Sequence, residues 1–76
     1  MKYGWLHGTG IKMLYVNQVE GPLSISYDFK EAASFKSIAE CQAHFLSKHA
    51  IPENFEHCLH NGYLKYFDDK GQMLIV

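Results

Sequence analysis

Leu23-Ser24-Ile25-Ser26-Tyr27-Asp28-Phe29-Lys30 is followed closely by Ser37-Ile38-Ala39-Glu40-Cys41-Gln42-Ala43-His44-Phe45-Leu46-Ser47-Lys48. In the first stretch Leu23, Ile25, Tyr27 and Phe29 alternate with polar residues, and a period of two predicts a strand with one buried and one wet face. In the second the period lengthens. Ile38, Cys41, Phe45 and Leu46 fall toward one helical face, with Glu40, Ser47 and Lys48 elsewhere. Ser37 and Glu40 have the spacing of a capping box, the hydroxyl accepting from a first-turn amide and the carboxylate reaching back. The predicted helix runs from Ser37 to about His49, and Ile51-Pro52 stops it because the residue before proline is pushed out of the helical region. A strand pattern giving way to a helix pattern within one short stretch marks an α+β chain.

Ile11 to Glu20 is rich in Ile, Met, Leu, Tyr and Val and stops at Gly21-Pro22, so it should form an antiparallel hairpin with Leu23–Lys30. Glu31 to Phe35 reads as a continuation past a bend. Beyond the helix, Pro52 suits the first position of a second, short helix to His60, with Asn61-Gly62 as its left-handed cap. Tyr63–Phe67 and Gln72–Val76 read as strands around a tight turn, Asp68-Asp69-Lys70-Gly71, whose glycine supplies positive φ. Met1–Gly10 carries Gly4, Gly8 and Gly10 around Trp5 and His7 and reads as a flexible arm or an irregular first strand. The expected architecture is one α+β domain over residues 1–76. It has a single antiparallel sheet of about four strands in the order β-β-α-α-β-β, with one main and one short helix on one face.

The chain has 76 residues, 47% of them hydrophobic and 20% charged, with a formal net charge of −1. That composition excludes a second domain and a disordered chain. No apolar run approaches the roughly 18–20 residues of a membrane span, and no apolar signal-type segment follows Met1, so the expectation is a cytoplasmic protein without a membrane partner. All 7 basic residues are lysines scattered singly, with no arginine. Guanine and phosphate recognition rests on arginine forks and clustered positive charge, so no nucleic-acid partner is expected. Burial of apolar surface should contribute about 120 kcal/mol, against about 114 kcal/mol for ordering the chain. A lone monomer sits near balance. A second copy, a metal or a disulfide would add what is missing.

Two sets of residues carry the possible chemistry. Cys41 and His44 are three apart on the predicted main helix, and His57 and His60 are three apart on the short one, with Cys58 between them. Thiolate and neutral imidazole are the ligands of a tetrahedral zinc ion, and two helices packed face to face would bring both pairs to one centre. Against this, Cys41 lies on the apolar face, where a thiol packs as a small hydrophobe. Without an export signal, both cysteines are expected as thiols rather than a disulfide. The glycines before Ile11 precede a strand and lack the lysine-serine ending of a phosphate loop. No local signature marks a nucleophile, Cys58 being the one thiol flanked by histidines.

The second set is aromatic and apolar. One Trp and five Tyr are many for a core of this size, and exposed Trp and Tyr mark binding surfaces. Met73-Leu74-Ile75-Val76 is apolar on both faces, as in a central strand or an interface strand. The expected function is a non-enzymatic protein-binding or accessory module acting as a homodimer, with Trp5, Tyr63, Tyr66, Leu74 and Val76 at the interaction surface. By analogy with other short compact chains, a mobile-element origin fits. The alternatives are a domain stabilised by zinc through Cys41, His44, His57 and His60, or a small-molecule binder with its pocket between sheet and helices. With neither, no cofactor is needed.

Overall fold

The structure, a computed structural model, describes residues 1–7, 12–48 and 52–75. Strand β1 (Lys2–His7) and strand β2 (Lys12–Val16) lead to a short β3 (Ile25–Ser26). Helices α1 (Ile38–Lys48) and α2 (Pro52–His60) follow, and β4 (Leu64–Phe67) closes the sheet. The four antiparallel strands lie in the order β3-β2-β1-β4. The chain is thus a small α+β fold with both helices on one face.

The helices follow their sequence signals closely. Ser37 Oγ accepts from the Glu40 N–H at 3.1 Å, and the Glu40 carboxylate accepts from the Lys36 N–H at 3.2 Å. The reciprocal bond therefore lands one residue earlier than the capping box prescribes. At the end of α2, Gly62 takes φ 68°. Its N–H donates to the Leu59 carbonyl at 3.2 Å, and the Tyr63 N–H donates to the Cys58 carbonyl at 2.9 Å. Those two bonds make a Schellman cap, which turns the chain directly into β4. Gly71, at φ 90°, closes the turn from Asp68 as expected.

The strands depart from the sequence reading in three places. Residues 2–7 take the strand alternative rather than the arm, but as a regular central strand, β1, pairing Gly4 with Tyr15 on one side and with Lys65 on the other. The Leu23–Lys30 alternation yields a ladder of only two residues, because Asp28 Oδ1 accepts from the Lys30 N–H at 3.0 Å and caps a 3-10 turn over Phe29–Glu31. Its Leu23, Ile25 and Tyr27 are exposed rather than buried. Among the described residues after Gly71, pairing with β4 is limited to a bridge between Phe67 and Met73 rather than a full strand. The element order is therefore β-β-β-α-α-β, with the tail as an incomplete fifth strand.

The strand registers sort the side chains. Tyr3, Trp5, Leu14, Val16, Leu64 and Tyr66 share the face under the helices. There Tyr3, Val16, Leu64 and Tyr66 pack with Phe35, Cys41 and Phe45 into one core. On the other face the Tyr15, Phe29 and Phe67 rings stack edge to face at 5.4–5.8 Å, and Lys2 Nζ sits 4.6 Å from the Phe29 centroid. Such ring contacts contribute beyond the area they bury. Leu46, placed by sequence on the core face, is 43% exposed. At 100° per residue it sits about 100° of rotation from the middle of the stripe formed by Ile38, Cys41 and Phe45.

Candidate interaction surface

The residues proposed as metal ligands are not brought together. Cys41 is fully buried in the core. Both nitrogens of His44 are engaged, Nδ1 with the Tyr3 hydroxyl at 2.7 Å and Nε2 with the Val19 carbonyl at 3.1 Å. His57 and His60 lie on the exposed side of α2, where the His57 ring meets Tyr63 edge to face. Among the described residues no group of three or more His, Cys, Asp or Glu is arranged to hold a metal ion. The helical spacing is present; the two pairs face different surroundings.

Both cysteines are free thiols. Burial pushes the Cys41 thiol up to about 11, and burial raises the Cys58 thiol as well. Each is therefore protonated at neutral pH, the poorly nucleophilic form. Burial also holds the Tyr3 and Tyr66 hydroxyls above their ordinary range.

His44 joins three parts of the molecule: α1, the central strand through Tyr3, and the β2–β3 loop through Val19. A carbonyl only accepts, so Nε2 carries the ring proton, and Nδ1 accepts from the fully buried Tyr3 hydroxyl. A second ring proton would require the Tyr3 hydroxyl to turn from donor to acceptor. Burial depresses the His44 pKa, with the Lys48 cation adding to the effect and Glu20 opposing it. The unfolded chain therefore binds more protons in the interval below the ordinary histidine value, and stability there rises with pH. Stability from this group should be complete above pH ~6.5 and decline as the pH falls toward the folded-state pKa. Urea midpoints measured across the acid range check this: the wild type should weaken, and a His44→Leu variant should lose that component. An equally steep decline in the variant would refute the assignment.

Of the residues proposed for the interaction surface, the structure separates inside from outside. Tyr66 is 1% exposed, and its hydroxyl accepts from Gln42 Nε2 at 2.9 Å. It is a core residue, in register with Tyr3 on the face under the helices. Trp5 is half-buried, its ring 5.2 Å from that of Phe45. Tyr63 is exposed, Leu74 is half-buried against the core, and Val76 lies outside the described residues.

What remains at the surface is the outer edge of β4 and the tail beside it. Tyr63 offers its carbonyl to Leu6 of β1, so antiparallel alternation turns the backbone groups of Leu64 and Tyr66 away from the sheet. The Tyr66 carbonyl accepts from the Leu74 N–H at 2.8 Å, while no described residue pairs with the outward groups of Leu64. Met73 is 54% and Ile75 100% exposed. Between tail and helices runs a groove of about 440 Å³, lined by Gln42, Leu59, Leu64, Lys65, Leu74 and Ile75 among others. Sequence reasoning found the tail but not Leu59, whose exposure depends on how α2 docks.

The opposite edge is shorter. β3 spans two residues and ends in the capped 3-10 turn, one of the ways sheets blunt an edge.

The fold and this edge define a small α+β domain with an open strand edge beside an apolar tail. Comparison with protein-family models, curated proteins and solved structures returned no match for the chain. Among the described residues no helix is long and apolar enough to cross a membrane.

Proposed function

We propose that this chain is a non-enzymatic protein-binding module that acts as a homodimer, its contact surface being the β4 edge and the apolar tail. The observation that carries the reading is the tail itself. Met73 and Ile75 are large apolar side chains left in water beside an edge whose ladder is unfinished. Exposed apolar surface next to unpaired strand groups is what strand addition uses: main-chain hydrogen bonds give affinity, and alternate side chains give specificity. The near balance between burial and ordering gives a second copy energetic weight.

Ile75→Lys tests this without touching the monomer, since the native side chain has no packing to lose. Sedimentation velocity over a concentration series should give a dimer for the wild type and a monomer for I75K, with the same unfolding temperature at low concentration. A wild-type monomer throughout, or a dimer indifferent to the substitution, would refute the reading.

A further inference from the structure

We infer that the groove between the tail and the helices binds a small aliphatic monocarboxylate, with the hydrocarbon chain against the leucines and the carboxylate at the Lys65 ammonium. This goes beyond the homodimer reading and does not rest on it. The groove holds about 440 Å³, within the range of small-molecule sites. Leu59 of α2, Leu64 of β4, and Leu74 and Ile75 of the tail line it. All four are aliphatic, and the one ring beside them, Tyr66, is 1% exposed. Such a wall covers a hydrocarbon chain and offers no stacking face to a flat ring or a sugar.

The charge of the lining has one sign. Lys65 is its single charged side chain, and none of the eight Asp and Glu residues of the chain borders it. Lys65 lies opposite Gly4 in the register, so its stem leaves β4 on the face away from Tyr66. The ammonium nevertheless returns to the groove. A Cβ placed on Gly62, which also lines it, would stand 3.9 Å from Lys65 Nζ. Among the described residues that ammonium has no ion-pair or hydrogen-bond partner.

The neutral polar groups agree with an anion. Gln42 Nε2 donates to the Tyr66 hydroxyl at 2.9 Å, and both residues line the groove. The Tyr66 proton then has no acceptor among the described residues, nor has the second Gln42 amide hydrogen. Burial raises the Tyr66 pKa, so the hydroxyl remains a donor at neutral pH. An ionised carboxylate only accepts, which suits a lining of this kind, whereas a cationic ligand would meet no carboxylate. One lysine and no arginine fork fit a monoanion rather than a phosphate.

The test is an amide NMR titration of the isotope-labelled chain with sodium octanoate, held below its micelle concentration. The amides of Leu59, Leu64 and Leu74 should shift together and saturate. Octanol and octylamine, with the same chain and a neutral or cationic head, should bind about tenfold more weakly. Lys65→Gln should weaken octanoate by a similar factor and leave octanol unchanged. Leu59→Glu, at a position 41% exposed, sets a carboxylate in the groove and should abolish octanoate binding in a chain that still melts cooperatively. Octanoate and octanol binding alike, or K65Q binding octanoate as the wild type does, would overturn the carboxylate assignment. Groove amides that stay unmoved by octanoate would overturn the site itself.

Discussion

Replacing Gly4 with alanine should leave a chain that does not fold cooperatively. Gly4 is buried in the middle of β1. A Cβ placed there would stand 2.9 Å from the Leu14 carbonyl carbon, 3.1 Å from the Tyr15 Cα and closer still to the Leu14 oxygen. All three are backbone atoms of the neighbouring strand, so no side chain can swing aside. Relief would require β1 and β2 to separate at the centre of the sheet. Overpacking a core usually costs about 1–3 kcal/mol and occasionally more. An obstacle made of ladder backbone puts this case at the upper end or beyond. At about 0.05–0.15 kcal/mol per residue, a chain this short holds only about 4–11 kcal/mol in total. The tight approach has a second consequence. Tyr15 of β2 and Phe67 of β4 meet at 5.6 Å across β1, where Gly4 is the residue in register with Tyr15.

Gly62→Ala is the comparison. Gly62 has φ 68°, but a Cβ there would find only Lys65 Nζ, at 3.9 Å. That variant should lose about 1 kcal/mol for the left-handed backbone and remain folded. Thermal unfolding followed by circular dichroism should show no cooperative transition for G4A and a slightly lowered one for G62A. A G4A transition as high as that of G62A would mean that β1 and β2 are not held at this spacing.

Gly4 also explains why part of the fold was hidden in the sequence. A glycine in a short N-terminal segment looks like local freedom, whereas here it answers a tertiary demand, the approach of Leu14, that no local pattern encodes. The helices were legible because their ends are decided locally: Ser37 and Glu40 at one end, Gly62 at the other, each bond spanning a few residues. Leu23–Lys30 misled for the opposite reason. Its alternation is real, but Asp28 competes for a backbone N–H and bends the chain, carrying Phe29 under the sheet to Tyr15 and Phe67. The proposed contact surface was half legible. The apolar tail announced itself, yet Tyr66 could be recognised as core only once its partner Tyr3 was known to sit in a central strand. The histidine and cysteine spacing was sound as helix geometry and silent about facing. Only the packing of α1 on the sheet sends Cys41 into the core and His44 to Tyr3.

Phe45→Ala is the second large effect, expected at about 3–5 kcal/mol for a fully buried aromatic. Phe45 is 0% exposed, and its ring lies 6.1 Å from Tyr3, 5.2 Å from Trp5 and 5.7 Å from Phe55. From α1 it thus touches both the central strand and α2, so truncation opens a cavity where three elements meet. The adjacent residue supplies the control. Leu46→Ala removes a side chain that is 43% exposed, a change that should stay near 0.5 kcal/mol, and alanine is the better helix former at both positions. Propensity favours both variants, F45A the more, so the difference between them understates the packing lost at Phe45. Urea unfolding should show a much lower midpoint for F45A at an unchanged slope, and a midpoint near the wild type for L46A. Amide exchange should then accelerate along α2, because Phe55 loses the ring it rests on. I75K, which leaves the helix docked, should keep the wild-type exchange along α2 and the wild-type monomer stability. Equal midpoints for F45A and L46A would mean that α1 is not anchored through Phe45.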